Sequence, residues 1–329
     1  MDKLRVLSLF SGIGAFEEGV KELGIDYDLV NYCEFEEYPS KAYSLIHNVS
    51  EDLNLGDINN VDETKLEDFD LMTYGFPCQS FSIAGKRLGF DDPEKGNLFF
   101  ESMRIAKYKK PKFMVAENVK GLTNHDNGNT FKVIINTLEE LGYNNYYKIC
   151  NSINYDTPQN RERIFIVSIR KDIDDGSFHF PEEHRTSKTV RDILDVNGTR
   201  KPPKKSLQKY FTDEYCEVGK YDSNSGVVKL FDGCAEGYFT SSYTENRIFS
   251  VNGISPTLTT KNDATYYEIF GKLNYRERFA LQGFKKEYAD LLKDNGIPIG
   301  AIDKMSGNSI TVNVIKEILR ILLKDYIVK

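Results

Sequence analysis

Cys78 stands between Pro77 and Gln79, where an apolar run gives way to a polar loop. A thiol at the mouth of a strand can act as a nucleophile, although a cysteine is also a common small apolar residue at strand ends. A carboxylate, Glu117, closes a later apolar run, which lies beside the first if the strands take the usual order. Further on, Gln159, Arg161 and Arg163 fall between two strand patterns, so their tip could present two guanidiniums to one pocket. Upstream, Glu34 and Asp57 sit at two successive strand ends, with Phe35 directly after the first. Acids in those places accept hydrogen bonds from ribose hydroxyls or an exocyclic amine, and an aromatic ring can stack on a base. Each of these residues alone is more often a solvated charge or an ion-pair partner. Together they describe a site with a nucleophile, a carboxyl group, guanidiniums and a nucleoside-binding edge.

The elements that must position them can be read from periodicity. Leu4–Leu9 alternates as a strand, and Phe10-Ser11-Gly12-Ile13-Gly14 follows as a glycine turn. Residues 15–23 read as a helix stopped at Gly24, which completes the first unit of a doubly wound sheet. The turn is neither GxGxxG nor a Walker loop, so an adenosine-containing cofactor other than a dinucleotide fits better. A second strand covers residues 28–33, and a third is expected to end at Gly56-Asp57-Ile58. Residues 69–74 form the apolar run before Cys78, broken by Gly75 and Pro77. The loop from Ser80 to Asn97, with Ser82, Lys86 and Arg87, is long enough to read as a functional lid. A helix over 98–109, a strand over 112–116, a helix from Thr130 and strands over 146–153 and 164–169 follow. Near the end, Ile315, Ile318, Leu319 and Leu322 make a helical stripe.

Composition narrows the class. The 329 residues can bury one large domain and a smaller one. Five scattered cysteines (33, 78, 150, 216 and 234) lack CxxC spacing, and the four histidines lack ligand spacing. No disulfide framework and no metal site are therefore expected, and a reducing cytoplasm is. Nothing at the N-terminus resembles a signal peptide, and no apolar run approaches membrane-spanning length. The net charge is −7, yet residues 1–70 hold 17 acids against 5 Lys and Arg. The rest of the chain is therefore net basic, which leaves room for a polyanionic partner downstream.

In this order, Phe10-Ser11-Gly12-Ile13-Gly14, Gly75-Phe76-Pro77-Cys78-Gln79, Glu117-Asn118-Val119 and Gln159-Asn160-Arg161-Glu162-Arg163 resemble the motifs of the C5-cytosine DNA methyltransferases. Gln282-Gly283-Phe284 and Gly307-Asn308-Ser309 extend the resemblance, which covers residues 4–170 and 271–325. Ser11 stands where alanine is commoner in the family. The resemblance implies a Rossmann-like α/β class I S-adenosylmethionine-dependent domain over 1–180 and 305–329. A smaller β-rich target-recognition domain over 181–304 would complete the chain.

By the same resemblance, the activity is DNA (cytosine-5-)-methylation in restriction-modification or phage protection. Cys78 would add to C6 of a cytosine flipped out of duplex DNA, Glu117 would hold a proton for N3, and Arg161 and Arg163 would stabilise charge on the ring. Phe10, Ser11, Gly12, Ile13, Gly14, Glu34, Phe35, Asp57, Ile58, Pro77, Leu98, Asn308 and Ser309 would surround S-adenosylmethionine. Gln79, Ser82, Lys86, Arg87, Asn118, Tyr243, Arg247 and Thr257 would meet double-stranded DNA, with Asn118 also ordering the Glu117 loop. A monomer is expected, in a bacterial cytoplasm and either host- or phage-encoded, with a cognate restriction endonuclease acting separately as a candidate partner. Two alternatives are a tRNA cytosine methyltransferase, whose Pro-Pro-Cys-Gln signature is missing because Phe76 precedes Pro77, and a non-catalytic DNA-binding homologue.

Overall fold

Strand β1 (Leu4–Leu9) lies between β2 (Tyr27–Cys33) and β3 (Leu71–Tyr74) and pairs parallel with both. Strand β4 (Phe113–Val119) continues the sheet in parallel beyond β3. Strand β6 (Glu162–Arg170) then pairs antiparallel with β4, and β5 (Tyr143–Asn151) closes the edge. The order is β2-β1-β3-β4-β6-β5. The computed structural model describes residues 3–77, 98–195, 198–200, 202, 205–208, 220–221, 225–232, 247–260, 266–268 and 271–327.

The described residues divide into two compact units. One consists of Met1–Cys150, Glu162–Glu182 and Ile315–Lys329, the other of Asn151–Arg161 and Glu183–Val314. Residues 151–161 and 305–314, which the sequence groups with the first portion, therefore pack with the second unit.

In the first unit every residue of β3 is buried, as expected for a central strand covered on both faces. Met72, Tyr74, Met114 and Ala116 pack with Phe99 and Met103 of helix α3 (Leu98–Lys109) and Ile134 and Leu138 of helix α4 (Asn129–Glu140). Each Met, Phe, Ile and Leu among them contributes roughly 1.5–3 kcal/mol on burial. Helices α1 (Ala15–Glu22) and α2 (Glu37–His47) follow the first two strands. The expected third strand does not form. Residues 54–58 make only an isolated bridge, Tyr32 to Asn54, before a single 3-10 turn over Ile58–Asn60. Asp57 caps that turn by accepting from the Asn59 N–H, which offers the backbone an alternative to a ladder.

Among its described residues the second unit holds five short strands, β7 (Lys220–Tyr221), β8 (Val228–Asp232), β9 (Arg247–Phe249), β10 (Tyr266–Tyr267) and β11 (Gly271–Lys272), in the order β11-β10-β9-β8-β7. A one-turn helix α5 (Lys205–Gln208) precedes them, and α6 (Tyr275–Leu281), α7 (Lys286–Asp294) and α8 (Ile299–Asn308) follow. Phe249, Val251, Leu258, Tyr267 and Leu281 form its apolar cluster. Helix α9 (Val312–Leu322) begins in the second unit and continues in the first, with Ile315, Ile318 and Leu319 fully buried, and a 3-10 turn over Lys324–Tyr326 follows it. Among the described residues no helix is long and apolar enough to cross a membrane.

Candidate active site

Register sets the site. Leu9 is paired with both Cys33 and Tyr74, and Tyr74 with Ala116, so the ends of four parallel strands lie in one row. The residues just beyond that row are the glycine turn, Glu34-Phe35, Gly75-Phe76-Pro77 and Glu117. β1 lies between β2 and β3, so the strand order reverses at this edge, which is where open α/β sheets bind ligands.

On the β1–β2 side the turn is sharply folded. Phe10, Gly12 and Gly14 have φ of 54°, 56° and 78°, and the first is a non-glycine residue in the left-handed region. A Cβ added at Gly12 would meet nothing within 4 Å, so the backbone there faces open space. Ser11 is partly buried, and Ile13 is 2% exposed and belongs to the core. The Glu34 carboxylate accepts from the Gly12 N–H at 2.9 Å and from the Glu36 N–H at 2.9 Å. Burial raises its pKa above the usual carboxylate range, and those two N–H donors oppose the shift. Phe35 is 78% exposed, an apolar ring left in the open beside that carboxylate. Asp57 uses one oxygen to cap its turn, Ile58 is buried, and Leu98 packs against the core at the start of α3.

Two residues of this edge carry no motif. Asn54 donates to the Glu34 carbonyl at 3.0 Å and to Ser40 Oγ at 2.8 Å, and accepts from the N–H groups of Glu34 and Gly56 at 3.0 Å each. It thereby clasps the peptide that carries Glu34. His47 is buried behind the turn, with Nε2 3.0 Å from the Ile13 carbonyl oxygen. The sequence signal for Asn54 is a polar side chain shortly before Asp57, and His47, the last residue of α2, carries none.

At the β4 end, Glu117 Oε1 lies 3.0 Å from Arg163 Nε, and both side chains are largely buried. Arg163 also donates to the Glu162 carbonyl at 2.8 Å. The antiparallel register places Arg163 opposite Val119 and so brings the pair together. Asn118, expected at the DNA, is 5% exposed and turned inward. Its amide donates to the Phe76 carbonyl at 2.8 Å and its oxygen accepts from the Val119 N–H at 2.8 Å. With both ends engaged, it ties the Glu117 strand to the segment that runs through the exposed Pro77 towards Cys78.

Arg161 differs from the expectation of two guanidiniums in one pocket. It is 2% exposed and belongs to the second unit, where it donates to the carbonyls of Leu258, Gly307 and Ser309 at 3.1, 3.2 and 2.7 Å. Residues two apart share a face only within a strand, and β6 begins at Glu162. Gln159 is also fully buried, holding the Leu258 N–H, the Leu281 carbonyl and Gln282. In the same unit Thr257, expected at the DNA, donates to the Asn160 carbonyl, and Arg247 pairs with Asp232 at 3.0 Å. Asn308 is exposed at the end of α8, whereas Ser309 is 9% exposed and donates to the Ile310 carbonyl. Cys78, Gln79, Ser82, Lys86, Arg87 and Tyr243 lie outside the described residues.

The first unit's edge thus offers open backbone beside a carboxylate and an exposed ring, and, at the β4 end, a carboxylate–guanidinium pair. The sequence profile of the C-5 cytosine-specific DNA methylase family matches residues 4–324. The orphan methyltransferase M.SPRI of Bacillus phage SPR is 38% identical over 285 residues, covering 79% of this chain and 64% of that protein. The chain thus spans less than two thirds of that phage relative. The type II methyltransferase M.HhaI of Haemophilus parahaemolyticus is 33% identical over 326 residues, covering 96% of this chain and 93% of that protein. Among solved structures, the S. pombe Dnmt2 methyltransferase superposes with a TM-score of 0.71 at 20% identity, over 98% of this chain and 99% of that one, a likeness of fold.

Proposed function

The chain belongs to the C-5 cytosine-specific DNA methylase family, and from that premise we propose that it methylates C5 of a cytosine in a short duplex DNA sequence. The observation that carries this reading is the Glu117–Arg163 pair, tied through Asn118 to the Phe76 carbonyl two residues before Cys78. That link ties the strand end that carries the carboxyl group to the segment that leads, in sequence, to the cysteine. S-adenosylmethionine fits the β1–β2 edge: Phe35 offers an open face for adenine, Glu34 an acceptor for ribose, and the bare Gly12 backbone room for close approach. When bound it supplies an electrophilic methyl group on a sulfonium.

Cytosine C5 is a weak nucleophile, and the chain's own groups are arranged to raise its reactivity. The Cys78 thiolate adds to C6, forming an S–C6 bond and moving the electron pair towards N3. Glu117 delivers a proton at N3, and Arg163 holds that carboxyl in place while countering charge at the ring. After methylation, N3 returns its proton to Glu117, and loss of the C5 proton to water re-forms the C5–C6 double bond and expels the thiolate, so Cys78 is regenerated. A base inside a duplex must first be flipped out, at a cost of a few kcal/mol. The lid with Lys86 and Arg87 and the tract around Tyr243 would contact that DNA, phosphate contacts giving affinity and base contacts specificity. The biological setting that suits such an enzyme is restriction-modification or phage protection.

The test is transfer of radiolabel from S-adenosylmethionine to unmethylated duplex DNA, followed by bisulfite sequencing. Label on cytosine C5 within one short motif supports the reading. Label on tRNA alone, or none on DNA from several sources while the cofactor binds, overturns it.

A further inference from the structure

The glycine turn needs an outside hold. Three of its five residues are left-handed, and Phe10 adopts that conformation without glycine's freedom. From the β2 side, Glu34 accepts from the Gly12 N–H. Further along the turn, the Ile13 carbonyl faces His47 Nε2, on α2, at 3.0 Å.

The protonation state of that imidazole follows from its neighbours. Its Nδ1 lies 2.8 Å from Lys21 Nζ. An ammonium only donates, so Nδ1 accepts, and the single ring proton sits on Nε2, where it donates to Ile13. Both contacts thus require the same neutral tautomer. The ring is wedged as well as bonded. The Tyr43 ring lies 4.6 Å from it, centroid to centroid, and Tyr32 stacks on Tyr43 at 4.2 Å. A Cβ at Gly14 would fall 1.9 Å from Nε2, so the imidazole reaches the carbonyl only because residue 14 has no side chain.

We propose that His47 is a positioning residue for the nucleoside cofactor, acting through the Ile13 carbonyl to hold the 10–14 turn in its binding shape. Gly14 is then required for His47 as much as for the turn. The inference rests on the reading of that turn as the S-adenosylmethionine site.

The experiment measures S-adenosylhomocysteine binding by calorimetry and steady-state methylation with the full chain, in His47→Leu and His47→Gln. Leucine keeps the bulk and loses the donor, whereas glutamine keeps an N–H donor. His47→Leu is expected to raise the S-adenosylhomocysteine Kd and the S-adenosylmethionine KM about tenfold, with kcat and the DNA KM within about twofold. His47→Gln should recover most of that loss. Unchanged cofactor affinity in His47→Leu overturns the proposal. So does an equal loss of cofactor binding, DNA binding and kcat that glutamine fails to rescue, since that is the mark of a general structural role. If the leucine variant does not fold, Lys21→Met at the partly exposed end of the pair reads the same coupling, because it frees the imidazole to change tautomer. A rise of about threefold in Kd is expected there, and no rise overturns the proposal. A wild-type chain that binds no S-adenosylhomocysteine would instead overturn the reading of the turn itself.

Discussion

Replacing Asn54 by leucine tests whether the Glu34 peptide is held by a side chain that carries no motif. Asn54 makes four hydrogen bonds: it accepts from the N–H groups of Glu34 and Gly56, and donates to the Glu34 carbonyl and Ser40 Oγ. Leucine removes all four and leaves three backbone groups without their partner. At about 1 kcal/mol for each partly buried group, the loss is about 3 kcal/mol. For a unit of this size that corresponds to a fall of roughly 6–12 °C in Tm. Asn54→Asp keeps the two acceptor contacts and leaves one backbone group, the Glu34 carbonyl, without its partner, so its cost is about 1 kcal/mol. The assay is thermal melting with and without S-adenosylhomocysteine. Both variants should melt earlier, and the stabilisation by ligand should shrink as Glu34 loses its fixed position. A leucine variant that melts within about 1 °C of wild type, with an unchanged ligand shift, refutes the reasoning.

Further outcomes follow from the same contacts. Arg161→Met should cost about 3 kcal/mol in the stability of the second unit, because three carbonyls lose a charged donor; Arg161→Lys recovers part of it in chemical denaturation, as a point charge replaces a fork. Arg163→Met should lower kcat about 100-fold while leaving S-adenosylhomocysteine binding intact, since its partner is Glu117 and not the cofactor edge; a reduced affinity with normal kcat would contradict it. Glu17, 1% exposed on α1 near Ser8 and Tyr43, has its pKa raised by burial. A carboxyl whose pKa is higher folded than unfolded favours folding less as pH rises above the unfolded value. Glu17→Gln should therefore be more stable than wild type at pH 7, with the gain vanishing by about pH 4.5, and a gain independent of pH in melting curves would exclude that cause.

The parts of the site that sequence reading reaches are those with local signals. β1 and α3 have the bounds their apolar periods predict, Leu4–Leu9 and Leu98–Lys109, because core packing and local preference agree there. Glu117 is legible because it closes an apolar run, whereas Arg163, read in the tip before a strand over 164–169, lies inside β6, which starts at Glu162. The expected strand at Asp57 fails for a local reason, the competition of a capping side chain with the ladder. Arg161 and Asn118 are motif residues whose direction no spacing rule reveals, since their partners are carbonyls brought close by tertiary packing. Asn54 and His47 are harder still. Their partners Glu34 and Ile13 are distant in sequence, and contacts of that kind leave no period.

The proposed reaction requires that Cys78 form a covalent bond to the target base. The direct measurement is incubation of the full chain and S-adenosylmethionine with a duplex carrying 5-fluorocytosine at the methylated position. Fluorine at C5 leaves no proton to remove, so elimination stops and the S–C6 bond persists. The expected product is a denaturant-resistant protein–DNA complex whose only modified peptide contains Cys78, and none forms with Cys78→Ser. Methylation of the ordinary duplex with no trapped complex on the fluorinated one, or a complex formed through another residue, would contradict it.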